Sequence, residues 1–372
     1  MKLTIARADL LKALGHVQNV VERRNTIPIL SNVLLSAEDD GLTLTATDLE
    51  IEAVDTASAN VGRAGAVTAP AQTLFDVVRK LPDSAAVELD LDTETQRLSI
   101  HAGRSKFALP TLPAGDFQTM ANDDEGVVFD IDPADLRRLI DKTRFAISTE
   151  ETRYYLNGVY LHCADVDGTP TLRAVATDGH RLALADTPAP AGASGLSGVI
   201  VPRKAVGEIR RLLDGVQEPV SVRISDAKIV VVAGKAVLTS KLIDGSFPDY
   251  ARVIPKGNEK ALKIDNKAFE AAVDRVSTVS AERSRSVKLG LSEGRLTLAV
   301  NHAETGQGSE DLEADYSDAP MEIGFNAKYL LDIAGQIQDA EALFHLNDSA
   351  SPALVTDPAD PGAQYVLMPL RV

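Results

Sequence analysis

Asp178, Gly179 and His180 stand together, and a serine brought beside them would supply the nucleophile, base and carboxylate of a hydrolase. The surrounding sequence does not support that chemistry. It has no G-x-S-x-G elbow, no H-E-x-x-H helix and no phosphate-binding P-loop. The histidines His16, His101, His162, His180, His302 and His345 are scattered without metal-ligand spacing. One cysteine, Cys163, excludes an intramolecular disulfide and a zinc site of several thiolates. We therefore assign no catalytic residue, metal or cofactor.

Contact with phosphate is the second chemistry the residues could perform. Apolar spacing predicts helices over 7–22, 70–80, 132–144, 202–214, 266–275 and 326–337. Together they hold 15 Lys and Arg against 11 Asp and Glu, in a chain whose net charge is −16. The surplus peaks in the middle, at Arg137, Arg138, Lys142, Arg144, Arg203, Lys204, Arg210 and Arg211. Such residues could be solvated helix surface balanced by i,i+4 carboxylates. They could instead share a face that meets the backbone of duplex nucleic acid without reading sequence.

The elements that position these residues recur. Arg7-Ala8-Asp9-Leu10 returns as Pro133-Ala134-Asp135-Leu136, and more weakly as Asn266-Lys267-Ala268-Phe269. Turns at Asp39-Asp40-Gly41, Val166-Asp167-Gly168 and Ser292-Glu293-Gly294 place glycines where a hairpin needs positive φ. The following strands end in Ala46-Thr47-Asp48, Ala176-Thr177-Asp178 and Ala299-Val300-Asn301. Second helices open at Pro70, Pro202 and Asn326. Leu112-Pro113-Ala114-Gly115-Asp116-Phe117 is answered by Leu242-Ile243-Asp244-Gly245-Ser246-Phe247. The reading is α+β: three repeated units, each two helices packed on antiparallel sheet, over 1–125, 126–253 and 254–372.

Composition sets the outer limits. A chain of 372 residues with 44% apolar and 25% charged content folds, and is long enough for two or three domains. The absence of Trp and the 4% aromatic content argue against a stacking platform for single strands. A pI near 4.8 argues against an outer surface that is basic throughout. No leader pattern or membrane-length apolar run is evident, so a cytoplasmic protein is expected.

With these residues in place, the chain resembles the bacterial replicative sliding clamps, the β subunit of DNA polymerase III, over its whole length. The resemblance rests on Thr26-Ile27-Pro28-Ile29-Leu30, Thr47-Asp48-Leu49-Glu50, Arg153-Tyr154-Tyr155-Leu156-Asn157-Gly158 and Ala176-Thr177-Asp178-Gly179-His180-Arg181-Leu182-Ala183. Val201-Pro202-Arg203-Lys204, Ser246-Phe247-Pro248-Asp249-Tyr250 and Met368-Pro369-Leu370-Arg371 complete it. It implies the DNA clamp fold, closed as a head-to-tail dimeric ring around double-stranded DNA. It also implies a processivity subunit of a DNA-directed DNA polymerase, a nucleotidyltransferase, with no catalysis of its own.

Carried over by position, Arg24, Arg153, Tyr154 and Tyr155 should approach DNA, with Arg137, Arg138, Arg203 and Lys204 from the basic helices. Either tyrosine could instead pack in a core. The resemblance implies an outer pocket for short peptides, lined by Leu156, Thr177, Gly179, His180, Arg181, Leu182, Pro248, Arg252, Val253, Ser349, Val366, Leu367, Met368, Pro369, Leu370 and Arg371. Leu370 stands where Met is more usual in the family. The implied partners are a second copy of the chain, the replicative polymerase α subunit, the clamp loader, translesion polymerases and mismatch-repair proteins. The subunit interface should join Arg104, Lys106 and Phe107 to Val279 and the acidic Glu304, Glu310 and Asp311, diluted here by Thr305-Gly306-Gln307-Gly308.

Overall fold

The computed structural model describes residues 1–22, 26–121, 125–280, 286–302 and 306–371. Six α-helices lie close to their expected places: α1 Arg7–Val17, α2 Ala71–Lys80, α3 Pro133–Thr143, α4 Arg203–Leu212, α5 Asn266–Ser277 and α6 Ala327–Ala334. On α1 the buried stripe is Leu10, Ala13, Leu14 and Val17, the 3.6-residue period of an amphipathic helix. Side-chain caps fix the starts of α5 and α6, while α1, α2 and α4 start without one. The Asp265 carboxylate accepts from Ala268 N at 2.7 Å, and Asn326 Oδ1 from Lys328 N at 2.9 Å.

Each copy repeats one order of elements, and that order includes two strands the sequence reading did not separate. A short strand precedes the first helix (Lys2–Ala6, Val127–Ile131, Lys260–Asp265), and another precedes the second (Gly65–Pro70, Val199–Pro202, Met321–Asn326). Both are four to six residues long and run straight into helix-start signals, so periodicity alone does not resolve them. The hairpin glycines also divide. Gly168 and Gly294 have φ of 80° and 70°, but in copy one the positive φ of 47° belongs to Asp39, and Gly41 lies in the strand Gly41–Thr47. Asp tolerates this region better than most residues, so the turn forms without glycine.

The chain divides into two compact units. The first comprises residues 1–137, 190–196 and 201–243, and the second the remainder. The first unit holds a five-stranded sheet ending in Ser105–Pro110, and an eight-stranded sheet. That larger sheet runs on from the first copy's strands to the second's, through the antiparallel pairing of Ile51–Ser58 with Ala236–Lys241. The second unit has an eight-stranded sheet built the same way, with Arg181–Pro188 paired to Asp360–Leu367. Its four-stranded sheet ends in Gly306–Glu313.

Candidate nucleic-acid and peptide interfaces

The repeated Ala-Thr-Asp sequence is a turn with a fixed hydrogen-bond pattern. Thr177 Oγ1 donates to Arg181 O (2.7 Å) and accepts from Gly179 N (3.1 Å), while Asp178 Oδ1 accepts from His180 N and Arg181 N. Thr47 and Asp48 make the same bonds to Leu49, Glu50 and Ile51. The third residue of the turn is left-handed in both, with φ of 87° at Gly179 and 74° at Leu49. Leu49 shows that a side chain is compatible with the backbone there. Glycine at 179 meets this φ without strain, and a Cβ there would lie 2.5 Å from Arg153 Nη1, the movable end of a side chain. Gly179→Ala is expected to cost ~1–2 kcal/mol, mostly from the left-handed backbone, and a similar amount when Arg153 is Ala, measured by urea unfolding of both backgrounds.

Arg181 is only 6% exposed and ties this turn to its surroundings. It donates to Asp178 Oδ2 (3.1 Å), Asp332 Oδ2 (2.6 Å) and Phe145 O (2.6 Å), and its guanidinium lies over the Tyr329 and Phe145 rings at 4.4 and 5.1 Å. His180 is exposed and faces Tyr329, ring to ring, at 6.4 Å. The C-terminal run then crosses the turn, with Met368 N bonded to His180 O (2.9 Å) and Leu370 N to Gly324 O (2.8 Å).

Beside it lies a cleft of about 750 Å³ whose lining includes Arg252, Val253, Ile254, Pro352 and Met368. Val253 and Met368 are 49% and 41% exposed. Under this surface sits an apolar cluster of Val175, Leu182, Leu184 and Val366, with Tyr160, Phe247, Tyr250, Ile254 and Leu354 packed on it. Leu156, Leu182, Val366 and Leu367 are buried, and of these Leu182 and Val366 belong to the apolar cluster. Pro248 and Ser349 are exposed, Thr177, Pro369 and Leu370 half-buried, and Arg371 exposed. Tyr160, Phe247, Tyr250, Ile254, Leu354 and Tyr329 are additions to the expected set. Phe247 and Tyr250 belong to a landmark that sequence had already marked, without saying which way their rings point.

Tyr250 is held by a chain of hydrogen bonds with a defined direction. His162 Nδ1 donates to Cys163 O (3.0 Å), so Nε2 accepts from the Tyr250 hydroxyl (2.9 Å), which in turn accepts from Arg173 Nη1 (3.3 Å). Burial lowers the His162 pKa below its ordinary 6.5, Arg173 adds to the lowering, and Cys163 O and Asp186 oppose it. The unfolded chain then binds a proton at His162 that the folded chain refuses. Stability is expected to fall as pH drops below about 6.5, and the slope to flatten in His162→Gln.

The basic residues behave less uniformly than their clustering implies. Arg137 donates to Leu213 O at 2.9 Å. Arg138 pairs with Asp360 and donates to Asp186 O (2.6 Å). Lys204 binds Asp48 Oδ2 (2.6 Å), Val20 O (2.9 Å) and Glu22; burial opposes its charge, but the two carboxylates raise its pKa overall. These three cations are engaged inside the fold, which corrects the expectation that the whole cluster faces phosphate. Arg203 is exposed, and among the described residues it has no ion pair, as also holds for Lys12, Lys80, Lys267 and Lys328. Arg153 pairs with Glu150 (2.8 Å). Tyr154 is 54% exposed and meets the half-buried Tyr155 edge to face at 5.7 Å, so neither is a core residue. Arg24 lies outside the described residues.

At the expected subunit contacts, Arg104, Lys106 and Phe107 are exposed, the last two on the edge strand Ser105–Pro110. Val279 is half-buried near Gly308 on the other edge strand, Gly306–Glu313. Glu310 is paired within its own chain to Arg275 (2.6 Å), which lowers its pKa, and Asp311 accepts from Thr297 (2.6 Å). Glu304 lies outside the described residues.

Three profiles of the DNA polymerase III beta subunit match in chain order: N-terminal domain over 1–121, central domain over 130–249 and C-terminal domain over 251–371. The chain belongs to the bacterial β sliding clamp family. The beta sliding clamp of Caulobacter vibrioides is 60% identical over 372 residues, and that of Escherichia coli K12 41% over 373, with all of both chains covered in each case. Among solved structures, the Caulobacter crescentus clamp matches with a TM-score of 0.96 at 60% identity, covering 100% of this chain and 99% of that one. A Bartonella birtlesii clamp bound to griselimycin matches with a TM-score of 0.96 at 48% identity, covering both chains fully. As a β sliding clamp, the chain encircles duplex DNA and tethers the replicative polymerase to it. Three domains of helices on antiparallel sheet are the fold through which this family does so. Among the described residues, no helix is long and apolar enough to cross a membrane.

Proposed function

We propose that two copies of the chain close head to tail into a ring whose domains span 1–125, 126–253 and 254–372, and that the ring acts in the cytoplasm without catalysis of its own. The two exposed edge strands, Ser105–Pro110 with Phe107 and Gly306–Glu313 beside Val279, support the head-to-tail contact. Pairing them across two subunits would remove edges that otherwise invite aggregation. DNA contact falls to Arg203, Arg153, Tyr154, Tyr155 and Arg24, while Arg137, Arg138 and Lys204 act through the fold. Weak contacts to phosphate, similar at each base step, let a ring slide, whereas base-specific contacts would pin it.

The observation that carries the peptide reading is the cleft beside exposed Val253 and Met368, over an apolar floor and next to the Arg181-ordered turn. Short linear motifs with Leu or aromatic anchors bind such surfaces. The partners expected there are the polymerase α subunit, the clamp loader, translesion polymerases and mismatch-repair proteins. The Cys163 thiol, pushed up in pKa by burial, is poorly suited to act as a nucleophile.

The test is topological. Loaded onto nicked circular DNA by the clamp loader, the protein should stay bound through gel filtration and be lost once the circle is cut. Equal retention on circular and linear DNA, with a monomer at micromolar concentration, would falsify the ring and favour a scaffold that binds only proteins.

A further inference from the structure

The three-copy frame permits one junction to be compared with another inside the same chain. Arg7-Ala8-Asp9-Leu10 aligns with Pro133-Ala134-Asp135-Leu136, so Lys12 and His16 on α1 occupy the positions of Arg138 and Lys142 on α3. The hairpins that face these helices also correspond. Ala233 pairs with Ala236 at the first junction, and Asp357 pairs with Asp360 at the second. Each hairpin continues into the strand that pairs with the one following the Thr-Asp turn.

At the second junction the two carboxylates neutralise the two cations. Arg138 Nε lies 2.9 Å from Asp360 Oδ2, and Lys142 Nζ lies 3.6 Å from Asp360 and 3.8 Å from Asp357. At the first junction the two corresponding hairpin positions, Ala233 and Ala236, carry methyl groups in place of carboxylates. A cleft of about 420 Å³ opens there, bounded by Lys12, His16, Asp55, Ala233, Lys235 and Ala236 among others. Its volume lies in the range of small-molecule sites.

The charges of this cleft are partly settled. Asp55, 6% exposed, holds His16 Nδ1 at 2.7 Å and accepts Thr56 N at 2.7 Å, so the imidazole is fixed, with its other nitrogen unbonded among the described residues. Asp214 pairs with Arg210. Lys12 and Lys235 have no ion pair among the described residues, and the exposed Asp9 and Glu218 at the same cleft limit how much negative charge a ligand can bring.

We propose that this cleft binds a carboxylate-bearing ligand whose acid groups take the places that Asp357 and Asp360 fill at the second junction. Lys12 and Lys235 supply the charge, and the unbonded His16 nitrogen supplies an oriented hydrogen bond. The chemistry is that of a compact dicarboxylate, whether a free small molecule or two acidic side chains of a short segment.

The full-length protein, labelled at its histidine rings, would be titrated by NMR with succinate and separately with the blocked tetrapeptide Asp-Pro-Ala-Asp, the sequence of residues 357–360. A saturable shift of the His16 ring, weakened at least about tenfold by Lys12→Gln with Lys235→Gln, is expected. Ala236→Asp should abolish binding by supplying the acid from the chain's own hairpin, with the other histidine signals confirming an intact fold. Tighter binding of the tetrapeptide would assign the site to an acidic segment, and equal or tighter binding of succinate to a free dicarboxylate. Absence of a saturable His16 shift up to about 10 mM of either probe overturns the proposal. So does an affinity that the Lys12/Lys235 and Ala236 variants leave unchanged.

Discussion

Replacing Asp360 by Ala is expected to destabilise the protein by ~3–5 kcal/mol, the largest effect of any single substitution considered. Asp360 is 8% exposed and is the acid nearest both Arg138 and Lys142. Lys142 is itself only 4% exposed; its ammonium donates to Gln336 O and has Asp357 at 3.8 Å as its other acid. Removing Asp360 takes the acid from Arg138 and leaves the buried Lys142 with Asp357, whose oxygens already accept Gln338 N (2.7 Å) and Ala359 N (3.0 Å). Uncompensated buried charge is the costly condition, rather than the loss of one attraction. Urea unfolding of Asp360→Ala, Lys142→Met and the double variant would measure this. The double should be less destabilised than the two single effects added, by at least about 1 kcal/mol. Strict additivity would mean that the acid and the ammonium do not share one electrostatic site.

The second large effect concerns peptide binding. Val253→Ala with Met368→Ala is expected to weaken a Leu- or Phe-anchored polymerase peptide by roughly 10- to 100-fold, at about 0.7–1.4 kcal/mol for each truncated side chain. Both side chains are substantially exposed before binding, so truncation should leave the fold intact. Leu370 is a poorer target than Met368, because its backbone N–H is fastened to Gly324 O and it does not line the cleft. Fluorescence anisotropy with the labelled peptide would read the change, and circular-DNA retention should persist. Unchanged affinity in the double variant would remove the cleft from the peptide site.

The helices were legible because four or five apolar residues at helical spacing, as on α1, outweigh any local ambiguity. The Thr-Asp turns were legible as landmarks, though not as turns, since their hydrogen bonds depend on where Thr47 and Thr177 point. Charge was the least legible feature. Arg138 and Lys204 look alike in sequence to Arg203, yet two have carboxylate partners far along the chain and the third has none among the described residues. No pattern within α3 or α4 announces Asp360 or Asp48 as partners. The copies themselves supply the clue, through positions where aligned residues differ in charge, such as Ala236 and Asp360.

Sheet pairing between copies has a consequence for the order in which the protein is made. Ile51 pairs with Ser240, and Arg181 with Leu367. While the ribosome adds the roughly 190 residues that separate the first pair, about 10–40 s at ordinary elongation rates, the strand Ile51–Ser58 has no neighbour on that side. The second pairing waits for Asp360–Leu367, which follow Arg181–Pro188 at a similar distance. Synthesis therefore passes through a stage with an exposed strand edge, and a nascent chain halted after residue 235 should bind chaperones more strongly than one extended far enough for Ala236–Lys241 to have left the ribosome.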